Sequence, residues 1–415
     1  MKKNTHSASI HAPSPHHPIP FKSIAAALLA LGIATPALAA DKTWFGGDGD
    51  WGADANWSPA GAPGANDDAI IGAGTSTLSG AAIVQSLSLN GGMLTGTGTL
   101  TSGWIDSAAS TWSGGQQSGT GTTRFNGPLN ISGDDPKLIA GGRVINIGYN
   151  TTWGGNTAVN NNAILNNGGG GTINTTTITS NWSDTNAFDT YIGAGITFNN
   201  NGFYWKNGNS VTTFRSVFNS TGTVIVSAGT LQVTSPFTNN GFISVRSGAI
   251  FQGTSPMFTN GMGAFVAGAG GTIATGAQGL SNSGVIHPYG SLTIDGDLKQ
   301  TSTGILEFGL SLSSFDLLTV TDDVVLDGEI RVEIGIGYTP VMGDTFRIMT
   351  FDDRAGTTFS SFSVGGDIGE DSGVTFNVIY NPHDVTLQVA TVPEAETLGD
   401  AAGRAGLGGF CRAAS

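Results

Sequence analysis

The residues best able to do chemistry are few in this chain. It has 415 residues but only six histidines and one cysteine. Four of the histidines precede residue 20; the others are His287, in an Ile-His-Pro context, and His383, in Pro-His-Asp. Neither has a neighbouring nucleophile or a metal-ligand spacing, so both read as turn residues. HExxH, GxSxG and phosphate-binding Gly-Lys loops are absent. Gly46-Gly47-Asp48-Gly49-Asp50 approaches a calcium-binding nonapeptide, but Trp51 stands where an Asp is needed and the phrase occurs once, which makes it a turn. Asp pairs at 67–68, 134–135, 322–323 and 352–353 could lend oxygens to Ca²⁺, the one cofactor the sequence suggests; solvated loops are the simpler reading. Lys137, Arg143, Lys206, Arg215 and Arg246 are scattered among uncharged neighbours. No catalytic, metal or cofactor-binding residue is therefore assigned. Trp44, Trp51 and Trp57 remain. If exposed, they could stack on sugar rings; if buried, they would close one end of a fold. The lid is favoured, since three indoles are costly to leave in water.

The elements that would position any site follow from a repeated phrase, an apolar residue, then Asn, Ser or Thr, then Gly. It reads FNNNG, FNSTG, FTNNG, FTNG and LSNSG, closing on Gly202, Gly222, Gly241, Gly261 and Gly284. A period of about 20 residues marks a solenoid. Between the phrases lie alternating runs such as Thr223–Val226, Thr230–Val233 and Phe242–Val245, which are strand-length and split by small-residue turns. No helical period competes. Stacked repeats bury what one repeat cannot, so the expected fold is all-β, a β-solenoid of the right-handed parallel β-helix type. Gly202, Gly222, Gly241 and Gly261 should occupy equivalent turns, with Val224, Val226, Leu231, Val233, Ile243 and Val245 pointing inward.

Composition agrees with this. There are 65 glycines, and only 11% of residues are charged while 39% are hydrophobic, which excludes a highly charged disordered chain. Residues 1–40 read as a signal peptide: Lys2, Lys3 and Lys22, an apolar run over Ile24–Ile33, then Ala37-Leu38-Ala39. Removing three of the 16 basic residues leaves 13 against 30 acidic, a formal charge of −17. That argues against nucleic acid as a partner. A lone Cys411 permits no internal disulfide.

Residues 41–72 form a Trp-rich opening, 73–294 the repeats, with an irregular coil near 150–190, and 295–390 a final set of coils with a β-rich cap. The opening places Trp44, Trp51, Asn56-Trp57, Pro63 and Asp67-Asp68 in the order found at the start of many secreted repeat proteins of Gram-negative bacteria, which it resembles: autotransporter passengers and proteins with PEP-CTERM sorting tails. Phe315-Asp316-Leu317-Leu318, Leu326-Asp327-Gly328-Glu329-Ile330 and Gly343-Asp344-Thr345-Phe346 resemble their closing module. Val392-Pro393-Glu394 resembles the start of a PEP-CTERM signal, with Ala395 in place of the usual Pro. Residues 391–415 then lack an apolar span, because Asp400, Arg404 and Arg412 interrupt it, and they read as a degenerate, disordered tail. With Leu398 read as CTG and suitable codons after it, the frame beginning at its second base gives WAMLLAGLGLVGFVARR, an apolar span ending in Arg. A one-base frameshift is the expected origin of this tail.

The resemblance implies a non-catalytic, exported protein of the cell surface or biofilm matrix, partnered by exopolysaccharide or the envelope surface, with a sorting protease or transpeptidase acting on a restored tail. An autotransporter-type adhesin is the alternative, although nothing after residue 390 could form a translocating barrel. A polysaccharide-degrading enzyme is a further alternative: pectin-lyase-like enzymes use a β-helix with carboxylates and Lys or Arg clustered on one face. Two or three acids beside a basic residue on one exposed face would favour it.

Overall fold

The computed structural model describes residues 39–155, 163–167, 172–173, 176–177, 181–185, 190–254, 257–312, 314–366 and 374–391. Residues 1–38 of the expected signal peptide and the tail with Val392, Pro393 and Glu394 lie outside the described residues, as does much of the stretch near 150–190 expected to be an irregular coil.

Alternation decides the local structure. In Thr223–Val226, Thr230–Val233 and Phe237–Asn239 every second residue is buried. These three strands make one coil, one in each of three sheets, here called sheets I, II and III. The next coil begins at Phe242–Arg246, which lies parallel on Thr223–Val226 with Thr223 opposite Phe242 and Val226 opposite Val245. The same step repeats in sheet II, Leu231 against Phe251, and in sheet III, Phe237 against Phe258. The product is a β-solenoid of about 10 turns. Val224, Val226, Leu231, Val233, Ile243 and Val245 are all fully buried, on the face that alternation assigns them.

One-coil spacing turns sequence repeats into ladders. Phe198, Phe218, Phe237 and Phe258 follow one another inside sheet III, with ring centroids 5.4, 5.4 and 5.2 Å apart. A second ladder beside it is polar. Asn239 Nδ2 donates to Asn260 Oδ1 at 2.9 Å, Asn260 Nδ2 to Asn282 Oδ1 at 2.7 Å, and Asn282 Nδ2 to Gln300 Oε1 at 2.8 Å. Each amide also reaches the next sheet I strand: Asn239 donates to Phe265 O, Asn260 to Val285 O and Asn282 to Ile305 O. The asparagines thus bind coil to coil and hold the corner between sheets III and I. The Asn residues of the repeated phrase therefore face both ways. Asn200, Asn239, Asn260 and Asn282 point into the core, while Asn219 and Thr221 donate outside it to Asn199 and Asn201.

The corner after each Asn accepts only a small residue. A Cβ on Gly222 would meet Gly202 O at 2.2 Å, and one on Gly241 would meet Gly222 O at 2.1 Å. Gly261 departs from the expected equivalence. Met262 and Gly263 extend its turn, so that Ala264 takes the stacked corner: Phe265 N donates to Gly241 O, and Val285 N to Ala264 O. The ladder then continues through Gly284, Gly304 and Gly328, whose carbonyls accept from Ile305 and Glu329 and, for Gly328, Ser361.

The two ends differ. Trp44, Trp51 and Trp57 pack edge to face, with centroids 5.1 and 4.8 Å apart, and Asp41–Trp44 pairs with both Trp57–Ser58 and Asp68–Ile71. At the other end sheet II ceases to be parallel. Thr345–Thr350 pairs antiparallel with Asp384–Thr391, which pairs in turn with Thr375–Tyr380. Sheet II thus continues past the last coil and ends on Thr375–Tyr380 as its outermost strand.

Candidate functional site

Sheet I carries the site on its outward face. Along it, Phe242 is opposite Phe265 and Phe265 opposite Val285, while in the adjoining column Ser244 is opposite Ala267 and Ala267 opposite His287. Continuing one coil at a time brings Glu307, then Arg331, then Ser363 into the His287 column. The 20-residue step from His287 to Glu307 and the 24-residue step to Arg331 bring into contact side chains that are remote in sequence.

The cluster is closed on itself. His287 Nδ1 lies 2.7 Å from Glu307 Oε1, and His287 Nε2 lies 2.9 Å from Asp316 Oδ2. Facing a carboxylate on each side, the ring donates twice and is an imidazolium. Arg331 donates to Glu307 Oε2 at 3.3 Å and pairs with Glu329 at 3.5 Å. Asp316 arrives by another route. After Ile305–Leu310 the chain folds back, Leu310 bridging Phe315, and Asp316 accepts N–H bonds from Gly290 at 2.5 Å and Gly309 at 2.8 Å. A Cβ on Gly309 would stand 3.2 Å from Asp316 Oδ2, so glycine there makes room for the carboxylate.

The electrostatics follow from these contacts. Burial pulls the imidazolium down, but the hydrogen bonds to Asp316 and Glu307 and the charges of both outweigh it, and His287 is raised to about 9. The bond from His287 lowers Glu307 against the opposing effect of burial, with Arg331 assisting. For Asp316, burial pushes upward, yet His287 and the N–H groups of Gly309 and Gly290 bring it below its ordinary value. A general acid at neutral pH needs a carboxyl raised toward 7. Both carboxyls are moved the other way, and each of their four oxygens already accepts a hydrogen bond.

Beside the cluster Tyr289 stacks on the imidazole, centroids 3.7 Å apart and planes 8° apart, and Phe265 lies 6.3 Å from Tyr289. Phe265 in turn stacks on Phe242 at 5.6 Å. An outward aromatic row therefore crosses three coils and ends on the charged cluster. At its end is an open cavity of about 650 Å³, lined among others by Tyr289, Ser311, Ser314, Asp316 and Glu333.

The expected site residues are placed as follows. His383 lies in a turn, its Nδ1 2.5 Å from Asp352 O, as expected. His287 does not: it ends the strand Val285–His287 and sits at the centre of the cluster, because Glu307 and Asp316 reach it from later coils. Trp44, Trp51 and Trp57 are 3%, 3% and 1% exposed, so no indole face is open for a sugar and the sugar-stacking alternative is corrected. Lys137, Arg143 and Lys206 are fully buried, whereas Arg215 and Arg246 are exposed. Arg143 donates to Thr123 Oγ1, Ser118 O and Thr122 O, and burial lowers it to about 10. Of the Asp pairs, Asp67 accepts from Ala40 N and Gly64 N, and Asp68 from Ser86 Oγ. Among the described residues no group of three or more His, Cys, Asp or Glu side chains is arranged to hold a metal ion. The nonapeptide-like phrase is not the turn expected: Asp48–Asp50 is a strand parallel to Thr75–Thr77, and the turn follows it, where Asp50 accepts from Gly52 N.

No protein-family model matches the chain, and comparison with curated proteins gives no match.

Proposed function

We propose that this is a non-catalytic structural protein, exported to the cell surface or extracellular matrix, that associates there with exopolysaccharide. The observation that carries the reading is the outward row of Phe242, Phe265 and Tyr289 on sheet I. Coils stack about 4.8 Å apart, so the three rings, with planes 15° and 38° apart in turn, make an apolar stripe across three coils against which the apolar faces of sugars can pack. The hydroxyl and amide ladders outside the core, Asn199–Asn219 on sheet III and Thr213–Gln232–Gln252 on sheet II, offer hydrogen bonds on the other two faces. The leader would export the chain, and a restored tail beyond Val392-Pro393-Glu394 would present it to a sorting protease or transpeptidase. No metal is required.

The polysaccharide-degrading alternative is favoured by one observation, the acids Glu307, Asp316 and Glu329 beside Arg331 on one face. Against it, Glu307 and Asp316 are lowered and fully engaged. An adhesin of the autotransporter-passenger type would share the solenoid and differ in its partner.

The test is cosedimentation of the purified chain with extracellular polysaccharide from the producing cells. Replacing both Phe242 and Phe265 by Ser should reduce retention about tenfold. The melting temperature should change little, because both rings are only partly buried. Unchanged retention would remove the aromatic row from the account.

A further inference from the structure

We propose that the cavity beside Tyr289 is a subsite for one or two neutral hexose units, a discrete glycan-binding site at the end of the aromatic row; the proposal rests on the polysaccharide reading above. Three independent features meet there. Tyr289 has φ +44, a left-handed conformation that disfavours any side chain, and Gly290 beside it has φ +96. A glycine at 289 would adopt that backbone freely, so what tyrosine contributes is its ring. Tyr289 is 55% exposed as a residue, yet its ring is held by stacking on an imidazole that two carboxylates fix in place. A fixed, open aromatic surface can receive the apolar face of a sugar without loss of side-chain freedom.

The polar lining then selects the ligand. Ser311, Ser314 and Glu333 face the cavity, and carboxylates and hydroxyls accept from or donate to sugar hydroxyls. Glu333 has room because its neighbours in adjacent coils are Gly309 and Gly365. The charged lining is His287, positive, with Asp316 and Glu333, negative, and the imidazolium is already committed to Glu307 and Asp316. Among the described residues lining the cavity no cation is left to receive a carboxylate, so uronic acids are disfavoured. A volume of about 650 Å³ lies in the range of small-ligand sites and exceeds one hexose.

The experiment uses the full chain and calorimetric titration with neutral tetrasaccharides of glucose, mannose and galactose, with tetragalacturonate and with a glucosamine tetramer. At least one neutral tetrasaccharide should bind, and tetragalacturonate should not. Tyr289→Phe should keep that affinity within about threefold, while Tyr289→Gly should weaken it about tenfold or more. Tyr289→Gly should also melt no lower than Tyr289→Ala, since glycine relieves the left-handed backbone. Equal binding by Tyr289→Gly, preferential binding of the uronate or the glucosamine tetramer, or no binding of any neutral tetrasaccharide would each overturn the subsite. The polymer separates this failure from that of the wider reading. Polysaccharide that still sediments with the Tyr289→Gly chain but not with the Phe242, Phe265 double variant leaves the association standing without the subsite. If neither polymer nor oligosaccharide binds wild type, both readings fall.

Discussion

Replacing Asn260 by Asp is expected to destabilise the solenoid by about 3–5 kcal/mol at neutral pH, the usual loss when a charge is left uncompensated in a core. Asn260 is fully buried in the middle of the amide ladder. One carboxylate oxygen could still accept from Asn239, 2.9 Å away. The other would face Asn282 Oδ1 at 2.7 Å and Val285 O at 3.1 Å, two acceptors with no proton between them. Protonating the new carboxyl restores one donor, so the loss should shrink as pH falls. Asn219→Asp is the control: it is exposed outside the core, where it donates to Asn199, and should change stability by under about 1 kcal/mol. Urea midpoints for both variants at two pH values measure this. Similar small shifts at both positions would mean that the inner ladder contributes no more than the outer one.

Removal of His287 has the next largest expected effect. His287→Ala leaves Glu307 and Asp316 without their shared counter-charge and should also lose about 3–5 kcal/mol. The pH dependence distinguishes this lock from packing. His287 is raised from 6.5 to about 9 on folding, so its contribution is complete below 6.5 and is lost as pH rises through 9. Glu307 and Asp316 are lowered from 4.5 and 3.8, so theirs is present above those values and lost as pH falls through the folded ones. Wild type should therefore be most stable between about pH 4.5 and 6.5 and lose up to about 3 kcal/mol toward pH 9. In His287→Ala that alkaline loss should disappear. Parallel stability profiles for the two proteins above pH 6.5 would show that the imidazolium is not the cause.

Much of this architecture is legible in the residues. The returning phrase fixes the coil length, and alternation fixes which face each strand buries. The same parity also identifies the inner asparagines. Phe198, Phe218, Phe237 and Phe258 point inward, so the residue two further on must do so as well, namely Asn200, Ser220, Asn239 and Asn260. The His287–Glu307 contact is one coil step along a single outward column, and it becomes visible once the 20-residue period is applied to charged residues. Asp316 is different. It comes from a segment that leaves the period and folds back through the Leu310–Phe315 bridge, and no spacing signals that return. The shift from Gly261 to Ala264 is hidden for a similar reason, since the phrase cannot show which small residue a longer turn stacks. Nor does anything local mark Arg143 as buried: its partners are Thr123 and the carbonyls of Ser118 and Thr122, neutral groups from the preceding coil.

The claim that this face binds polysaccharide without cutting it is tested most directly by incubating the purified chain with neutral and acidic polysaccharides, with and without Ca²⁺, and following polymer size and new chain ends. The expected result is unchanged polymer in every case, with the neutral polymer cosedimenting with the protein, and the same result for Glu307→Gln and Asp316→Asn variants that remain folded. Steady release of shorter chains by wild type, abolished by either substitution, would contradict the account and make the His287 cluster a catalytic site.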